Sequence, residues 1–552
     1  MKRTINIVLA ALLLICGSAQ AQKRTIVIEP RKNVDTNPHT ERILNDIKML
    51  GSALITINNH YVDTIDSKKM VDSALEGFVK TLDPHSVYIP ADRVKLENES
   101  LSGSFEGVGI EFAIISDTLT IQNVISGGPS EAVGLCVGDK IIEIDGENVA
   151  SVKLTNDDVR AKLRGPKGTK VKVKVIRHGL SEPVDFEIVR NKIPIESIDA
   201  AYQTPEGVFY VKLGRFAADS YVEFLKAFIN KCPNEPAGLI LDLRGNGGGY
   251  LNVALSIANS FLEEKQSILY TEGLHEPVTT QVADGTGFFR NRPLVLLVDE
   301  NSASASEIVA GAIQDWDRGV IIGRRSFGKG LVQRQINLEN RAQMRLTIAR
   351  YHTPSGRVIQ TPYKQGEKDE YYKKITQRYT SGEFFSLDSL ALPDSLLFHT
   401  MLQNRPVYGA GGILPDIFIP EDTTAFTPYF ASLVRKGILN EFVNVYCDRM
   451  RPTVNKLCPD FDSFYAWYTP EVENGVIEEL VAYAGEKGLE RNAAEITGSY
   501  PALKPRLKAL IARTFFSINE YYKVINREGD PEFKKAVEVI LNWNPQLPSI
   551  AR

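Results

Sequence analysis

Residues 294–307 read Leu-Val-Leu-Leu-Val-Asp-Glu-Asn-Ser-Ala-Ser-Ala-Ser-Glu, and this stretch decides the fold. Its first five residues form an unbroken apolar run, which is typical of a strand buried on both faces. Small residues then lead into a helical pattern that runs from Glu307 to Trp316. A second apolar run, Leu239–Leu243, is also followed by a loop and a helical pattern. This order predicts an α/β domain with a partly parallel sheet over residues 197–365.

Ser304 lies at the predicted turn between the strand and the helix. Together with Glu307 it matches the Ser-x-x-Glu capping box, so one explanation of this serine is purely structural. In the functional alternative, Ser304 is a nucleophile, and the free N–H groups of the helix N-terminus stabilise a substrate oxyanion. Ser302 and Ser306 are rival nucleophiles on local grounds.

Lys329 is the residue that would activate such a serine, because no histidine lies in a comparable setting. It stands between Gly328 and Gly330 in an apolar segment, and a lysine acts as a base only when burial lowers its pKa. A surface-loop lysine is the structural alternative. Residues 323–329 also match part of the phosphate-binding loop pattern, but Gly330 replaces the Ser or Thr that binds magnesium. A nucleotide site is therefore not expected.

Two glycine-rich segments offer backbone N–H groups to a ligand. Residues 243–250, Leu-Arg-Gly-Asn-Gly-Gly-Gly-Tyr, follow a predicted strand and form a tight turn or, beside a nucleophile, a loop that cradles substrate. Residues 107–110, Gly-Val-Gly-Ile, open a strand in a small β module. Such a loop binds a peptide's terminal carboxylate while the strand pairs with the peptide, and an ordinary glycine bulge is the alternative.

The remaining segments are helical regions around these elements and one insert. Residues 39–99 carry apolar residues at helical spacing, which a turn at 82–88 interrupts because Pro84 cannot continue a helix. Short alternating runs over residues 105–190 predict the β module, with one helix at Asn156–Leu163. Residues 366–405 form a polar insert of undefined structure, and helical patterns separated by prolines follow from about residue 424.

The first 21 residues have the pattern of a secretory signal peptide. A basic start precedes the apolar run Ile5–Ile15, and Ala19-Gln20-Ala21 supplies the cleavage pattern. Cys16 leaves lipidation as an alternative to cleavage after Ala21. No later apolar run is long enough to cross a bilayer. We therefore expect an exported protein of the bacterial periplasm, with membrane association through Cys16 as the alternative.

The composition excludes several other classes of function. The 552 residues carry a formal net charge of −4 and are 43% hydrophobic, so the chain lacks the basic footprint of a nucleic-acid-binding protein. The spacing of cysteines and histidines fits no metal site, and no metal or other cofactor is expected. Cys447 and Cys458 are close enough in sequence to pair, but we expect all four cysteines after the signal segment to be buried thiols.

Taken together, these segments resemble the C-terminal processing peptidases, also called tail-specific proteases. The resemblance covers residues 40–420, and its motifs are long and ordered. The segments that carry it are residues 82–88, 241–249, 300–311, 323–333, 346–357 and 412–416.

The resemblance implies a role for individual residues. Ser304 would be the nucleophile, Lys329 the general base, and Gln333 the residue that orients the lysine. The oxyanion would be bound by the backbone N–H groups of Ala305 and of a glycine in the glycine-rich turn, here assigned to Gly248.

Two further implications concern the glycine segments. The family often has a proline where this chain has Gly247, and that departure leaves the second oxyanion donor open. The β module is similar to a PDZ domain whose carboxylate-binding loop would consist of Gly107, Val108, Gly109 and Ile110.

The resemblance also implies a multidomain α/β fold. A protease core similar to the crotonase and Clp-protease fold would carry an inserted, mostly β PDZ-like domain and helical N- and C-terminal regions. The expected boundaries are 1–21 for the signal peptide, 22–100 for the N-terminal helical region, 101–192 for the PDZ-like domain, 193–423 for the core with its insert 366–405, and 424–552 for the C-terminal helical domain.

The expected function is that of an exported serine endopeptidase that recognises C-terminal tails of proteins and cleaves through an acyl-enzyme. Its partners would be protein or peptide substrates with free C-termini, and the C-terminal helices are candidates for a homo-oligomer or adaptor contact. One alternative is a catalytically silent PDZ-type adaptor on a protease-like scaffold. Another is an esterase, against which the absence of a Gly-x-Ser-x-Gly elbow counts.

Overall fold

The computed structural model describes residues 38–115, 117–125, 127–177, 179–390, 392–409 and 411–546. The chain divides into two compact units, one of which ends at Ser73 while the other begins at Ala74. The predicted signal segment 1–21, with Cys16, lies outside the described residues. Within the described ranges no helix has the length and apolar character needed to cross a bilayer.

Three helices and a short strand open the described chain. They are α1 (Pro38–His60), α2 (Ser67–Lys80), β1 (Val87–Ile89) and α3 (Val94–Ser102). The predicted turn after α2 is confirmed, and the carboxylate of Asp83 holds it together. Asp83 Oδ1 accepts hydrogen bonds from the backbone N–H groups of His85 (2.8 Å) and Ser86 (2.9 Å). This arrangement is an Asx-type turn, which replaces the backbone bonds that Pro84 prevents.

The predicted β module follows, and its strand pattern is confirmed. Its elements are β2 (Ser104–Gly107), β3 (Ile110–Ile115), β4 (Thr118–Val124), α4 (Pro129–Ala132), β5 (Lys140–Ile144), β6 (Glu147–Asn148), α5 (Asn156–Leu163), β7 (Lys170–Ile176), β8 (Val184–Val189) and β9 (Asn191–Pro194). An antiparallel sheet has the order β3-β4-β5-β7-β8, and β2 pairs with β9. The helix α5 has the predicted bounds, because a Thr155–Asp158 capping box starts it.

In the central domain, each of the two predicted apolar strands is followed by a helix, as expected. Its elements are β10 (Ile198–Gln203), β11 (Val208–Leu213), α6 (Ser220–Lys231), β12 (Gly238–Asp242), α7 (Leu251–Asn259), β13 (Ser267–Glu272), β14 (Thr279–Val282), β15 (Leu294–Val298), α8 (Ala305–Asp315), β16 (Val320–Gly323), β17 (Leu331–Asn337) and β18 (Gln343–His352). The strand β15 has the predicted bounds.

The polar insert has more structure than its sequence indicates. It contains α9 (Lys368–Thr380) and β19 (Leu397–His399), and β19 forms a hairpin with β20 (Pro406–Tyr408) directly after the insert. The chain then returns to the central domain through β21 (Ile417–Phe418), which pairs in parallel with β16. That return is the one expected from residues 411–416.

Two sheets build the central domain. A six-stranded sheet has the order β10-β11-β12-β15-β16-β21 and is parallel except for the β10–β11 pair. In the second sheet, β18 pairs with β1, β13 and β17, and β14 pairs with β13. The strands β17 and β18 pair antiparallel, so Leu331 and Val332, which follow Lys329 closely, are fixed against Arg350 and Ala349.

Eight helices end the described chain, as the proline-separated patterns predict. They are α10 (Pro428–Arg435), α11 (Ile438–Leu457), α12 (Phe461–Trp467), α13 (Pro470–Glu486), α14 (Ala493–Gly498), α15 (Tyr500–Phe515), α16 (Ile518–Glu528) and α17 (Pro531–Leu541). The helices α10 to α16 share a core of their own. Arg513 of α15 lies 3.4 Å from Glu111 of the outer strand β3, so this region also contacts the β module.

Both faces of the six-stranded sheet are buried, because alternate residues of each strand enter different cores. On one face, Leu294, Leu296 and Val298 pack with the helices α7 and α8. On the other face, Val295 and Leu297 pack against Phe533, Ala536 and Ile540 of α17. Burying the apolar side chains of both faces provides most of the driving force for this layer arrangement.

The cysteine prediction is right for two residues and wrong for one. Cys447 and Cys458 are buried free thiols, and Cys232 is half-buried. Cys136 is exposed, because it lies in the turn between α4 and β5 rather than on a packed face.

Candidate active site

Ser304 lies directly before the first residue of α8, in a strained backbone conformation. Its φ of 56° and ψ of −109° fall in a region that residues with a Cβ seldom adopt. The carboxylate of Glu307 accepts a hydrogen bond from the Ser304 N–H at 2.8 Å. Gly248 approaches from the opposite side so closely that a Cβ at this glycine would lie 2.9 Å from the Ser304 Cβ. A glycine is therefore required at position 248.

The two rival serines are engaged in the scaffold. Ser302 Oγ donates to the backbone carbonyl of Leu243 at 2.9 Å, and Ser306 Oγ donates to that of Asn246 at 2.8 Å. Both side chains are fully buried. Their hydroxyls tie the turn before α8 to the glycine-rich turn, whereas Ser304 lines a cavity. Of the three serines, only Ser304 is thus placed to meet a substrate.

Glu307 connects the Ser304 turn to the segment that contains Lys329. Its Oε1 accepts from the Ser326 hydroxyl (2.6 Å) and the Gly328 N–H (2.7 Å), and its Oε2 accepts from the Lys329 N–H (2.9 Å). Burial raises the pKa of this carboxyl, and these hydrogen bonds oppose that rise because they favour the charged form. Glu307 is thus a structural hub between the two segments.

The Lys329 amine is held by a short chain of hydrogen bonds. Its Nζ donates to Gln333 Oε1 at 2.8 Å, and Gln333 Nε2 donates to the backbone carbonyl of His85 at 2.7 Å. The His85 ring lies 3.2 Å from the Tyr371 hydroxyl. The turn at 82–88 and the insert helix α9 therefore both support the position of the lysine.

The electrostatic environment favours a neutral lysine. Burial lowers the pKa of Lys329, and the positive charge of Arg345 lowers it further, while Glu307 and Asp83 act in the opposite direction. Burial, followed by the charge of Lys329, lowers the pKa of His85 to about 4. At neutral pH this histidine is uncharged, so it adds no second positive charge beside Lys329.

A single cavity of about 450 Å³ brings most of the predicted residues together. Ser304, Ala305, Gly248, Lys329 and Gln333 all line it. Its wall is completed by residues of α3, α7, β17 and β18, which are Leu101, Leu251, Leu331, Val332, Arg334, Gln335, Arg345 and Tyr351 among others. A cavity of this size accepts several side chains of an extended peptide.

The glycine-rich turn faces this cavity, and one of its N–H groups is already engaged. Gly248, with φ of +100°, donates its N–H to the Asn246 side chain at 2.9 Å. Asn246 is itself buried and donates to the carbonyl of Leu213 at 2.8 Å. An oxyanion at Gly248 would therefore share that N–H with Asn246 or displace it.

Buried ion pairs fix the start of the same turn. Arg244 Nη2 contacts Asp242 at 2.5 Å and Asp530 at 2.7 Å, and its Nη1 contacts Glu532 at 2.6 Å. Asp530 caps α17, and Glu532 lies in its first turn, where Arg324 also binds it. The last helix of the described chain thus braces the glycine-rich turn from behind.

The predicted carboxylate-binding loop lies in the β module. Gly109 has a φ of +79°, and its carbonyl accepts from the Ile125 N–H at 3.0 Å. The carbonyl of Val108 accepts from the hydroxyl (2.7 Å) and the N–H (3.1 Å) of Ser130. These bonds turn the carbonyls of Val108 and Gly109 towards the module. Gly107 ends β2 and Ile110 begins β3 on either side.

Several residues of the site were missed by sequence reasoning. Glu307 has a recognisable signal in its capping-box spacing, which predicts the bond to Ser304 but not the bonds to Lys329. The turn at 82–88 was noted as a family motif without a role. No local sequence pattern indicates a role for Arg345 or for the ion pair of Arg244 and Asp530. Among the described residues, no group of His, Cys, Asp or Glu is arranged to hold a metal ion.

Comparison with known proteins accounts for this arrangement. The model of peptidase family S41 matches residues 207–367, the PDZ domain model matches 99–176, and the N-terminal domain of activating protease CtpB matches 10–93. The carboxy-terminal-processing protease of Bartonella bacilliformis is 33% identical over 334 residues, which are 60% of this chain and 76% of the relative. The chain belongs to the carboxy-terminal-processing proteases of peptidase family S41. It is therefore a serine peptidase with a PDZ domain, an α/β core and helical N- and C-terminal regions.

A second relative agrees with this assignment. Carboxy-terminal processing protease CtpB of Bacillus subtilis is 33% identical over 335 residues, which are 59% of this chain and 67% of the relative. The solved photosystem II D1 C-terminal processing protease is 27% identical, with a TM-score of 0.32, over 56% of this chain and 89% of that one. Residues 429–517 match a family of unknown function.

Proposed function

We propose that Ser304 and Lys329 form the catalytic dyad of this peptidase and that Gln333 orients the lysine. The observation that carries the proposal is the shared cavity: Ser304 and Lys329 line it together, and Ser302 and Ser306 are committed to backbone carbonyls. The lowered pKa of Lys329 supports its role, because a lysine accepts a proton only in its neutral form.

The chemistry follows from these positions. Neutral Lys329 accepts the hydroxyl proton of Ser304 as Oγ attacks the scissile carbonyl carbon. The oxyanion is bound by the Ala305 N–H and by an N–H of the glycine-rich turn, with Gly248 as the assigned donor. Protonated Lys329 then gives its proton to the leaving amine, and a water molecule, activated by the same lysine, hydrolyses the acyl-enzyme.

The β module would deliver the substrate. Its loop of Gly107, Val108, Gly109 and Ile110 would bind the free C-terminal carboxylate of a protein or peptide, and β3 would pair with the tail. Such a tether raises the local concentration of the chain to be cut. Amidation of a substrate's C-terminus should then raise KM, and an unchanged KM would exclude this role of the loop.

The remaining assignments concern location and organisation. Residues 1–21 would direct export to the bacterial periplasm, with lipidation at Cys16 as the alternative to cleavage after Ala21. The domain boundaries 22–100, 101–192, 193–423 and 424–552 complete the proposal. The C-terminal helices would serve a homo-oligomer or adaptor contact.

The proposal is tested by turnover of an unstructured polypeptide with an apolar C-terminus. Ser304→Ala and Lys329→Met should each reduce kcat by roughly a thousandfold or more. Lys364→Ala removes an exposed lysine outside the cavity and is the matched control. Full activity of Lys329→Met would refute the dyad. A wild-type protein that binds tails without cutting them would instead support the silent adaptor.

A further inference from the structure

Arg345 is the third residue of β18 and lines the same cavity as Ser304 and Lys329. Its strand neighbours are Val87 of β1 and Gln335 of β17, so the backbone at this position is fixed on both sides. The side chain therefore emerges from a rigid part of the sheet. Rigid placement is what a group needs if it is to recognise a substrate atom in one position.

The guanidinium of Arg345 has an unpaired edge. Its Nε and Nη2 are buried and have no hydrogen-bond partner within the described parts of the chain. Buried donors without acceptors are costly, and a buried cation without a counter-charge is more so. Other arginines with little exposure show the usual solution: Arg405 pairs with Asp317 and Asp416, and Arg244 pairs with three carboxylates.

A second arginine of the cavity provides a direct comparison. Arg334 also lines the cavity, but both of its Nη atoms bind Glu276 at 2.9 Å. Its charge is thus satisfied within the protein, whereas the Nε–Nη2 edge of Arg345 is not. This edge is one of the two that form paired, parallel hydrogen bonds with a carboxylate.

We infer that Arg345 binds a carboxylate of the peptide substrate through its Nε–Nη2 edge, beside the bond that is cut. The inference rests on the proposed dyad, because it places the carboxylate in the cavity of Ser304 and Lys329. The carboxylate has two candidate sources, an Asp or Glu side chain and the free α-carboxylate of a tail that the loop 107–110 does not hold. Both present the same two oxygens to the guanidinium.

The position of Arg345 links recognition to the chemistry. After burial, the positive charge of Arg345 is the main cause of the lowered pKa of Lys329, and Glu307 and Asp83 are the charges that oppose it. His85, the remaining titratable neighbour, is neutral at neutral pH. A bound carboxylate would offset the charge of Arg345 and raise the pKa of Lys329. Acidic substrates should therefore need a higher pH for full turnover than neutral ones.

The binding test uses full-length Ser304→Ala protein, so that it does not depend on turnover. The probes are short labelled peptides of neutral residues with an apolar C-terminus. Each carries one glutamate, or one glutamine as its neutral counterpart, and this residue is placed at every internal position in turn. Every peptide is made with a free and with an amidated C-terminus. Fluorescence anisotropy gives Kd. The glutamate series tests a side-chain carboxylate, and amidation tests the α-carboxylate.

Arg345→Gln should weaken the favoured carboxylate peptide roughly tenfold or more, as expected for hydrogen bonds to a charged group, and should leave its neutral counterpart within about twofold. Arg334→Gln, which also removes a positive charge from the cavity wall, should keep the preference. If both variants weakened binding of the carboxylate peptide equally, the effect would reflect the overall positive charge of the cavity wall, and the inference would be overturned. An unchanged preference in Arg345→Gln would overturn it as well.

Two further measurements distinguish carboxylate recognition by Arg345 from an effect on folding and from the proposed dyad. Arg345→Lys keeps the charge without the planar fork, so it should retain the fold and lose most of the preference; retention of the full preference contradicts the inference. In active protein, the pH dependence of kcat should differ between glutamate and glutamine substrates, and Arg345→Gln should abolish the difference. Turnover that survives in Ser304→Ala would instead refute the dyad and leave the binding result standing.

Discussion

The Oε2 atom of Glu307 accepts a hydrogen bond from the backbone N–H of Lys329 at 2.9 Å. The same atom accepts from the Ser304 N–H, so one carboxylate fixes two segments that are far apart in sequence. Tyr351 adds a second link, because its hydroxyl lies 2.9 Å from the Lys329 carbonyl and 3.2 Å from the Ser304 carbonyl. The backbone around the two residues is therefore positioned by buried polar groups.

Replacement of Glu307 by glutamine should damage both stability and activity. The carboxylate accepts hydrogen bonds on both oxygens, but a glutamine amide has one acceptor and would direct its NH₂ at existing donors. We expect a loss of about 2–4 kcal/mol in the free energy of unfolding. Thermal unfolding measures the first effect, and kcat of the folded fraction measures the second.

The control for this substitution is Glu370→Gln. Glu370 lies on the exposed side of α9 and pairs with Lys373, so its loss should change the free energy of unfolding very little. If Glu307→Gln has the same free energy of unfolding as this control and keeps its kcat, then Glu307 does not organise the site.

Replacement of Gln333 by glutamate should move the pH dependence of kcat upward. In the proposed dyad Lys329 acts as a neutral amine, so activity should rise with pH through its lowered pKa. A carboxylate 2.8 Å from Nζ stabilises the ammonium form and raises that pKa. At neutral pH the variant should therefore be slower than wild type and should recover at higher pH.

Gln333→Ala separates charge from position. It removes the acceptor without adding a charge, so we expect a lower kcat at all pH values with little upward shift. A rising limb that stays in place in Gln333→Glu would show that Lys329 is not the group that titrates.

The free energy of unfolding should fall as the pH is lowered, because of His85. Its pKa is lowered from 6.5 to about 4, so the unfolded chain binds a proton between these values that the folded chain does not. This contribution is fully present above pH 6.5 and is lost as the pH falls through about 4. The unfolding midpoint of His85→Gln should depend less on pH than that of wild type across this window. Equal dependence in both proteins would contradict the burial of a neutral histidine.

The double substitution of Asp530→Asn with Glu532→Gln should lower activity, although neither residue lines the cavity of Ser304 and Lys329. These carboxylates neutralise Arg244 at the start of the glycine-rich turn, and without them Arg244 retains only Asp242. We expect a reduced kcat with a nearly unchanged KM, because the turn is assigned to the oxyanion. Lys535→Ala, on the exposed side of the same helix, is the control. A change confined to KM would place the effect in substrate binding.

The local elements of the fold could be predicted well. The run Leu294–Val298 and the helix Asn156–Leu163 have the predicted bounds, because apolar runs and capping residues act over a few positions. The insert was harder, since α9 is polar on most of its surface and only Tyr371 and Arg378 are buried. A helix whose stability depends on two contacts with distant residues has little periodicity to detect.

The site was predictable only in part for the same reason. Ser304 and Lys329 stand in long family motifs, and the assignment of their roles remains a prediction. Arg345 became conspicuous only when the structure showed that its buried guanidinium edge lacks a partner. Likewise, Arg244 and Asp530 are far apart in the sequence, and no local pattern predicts an ion pair between them.

The brace between α17 and the glycine-rich turn has a consequence for biosynthesis. A ribosome makes residues 243–250, Ser304 and Lys329 long before it makes Asp530 and Glu532. A nascent chain would thus carry its reactive groups while Arg244 still lacks its later counter-charges. We expect proteolytic competence to arrive only once α17 has been made, which would protect neighbouring proteins from a partly made enzyme. A chain truncated before Asp530 that cleaves as fast as the full one would disprove this timing.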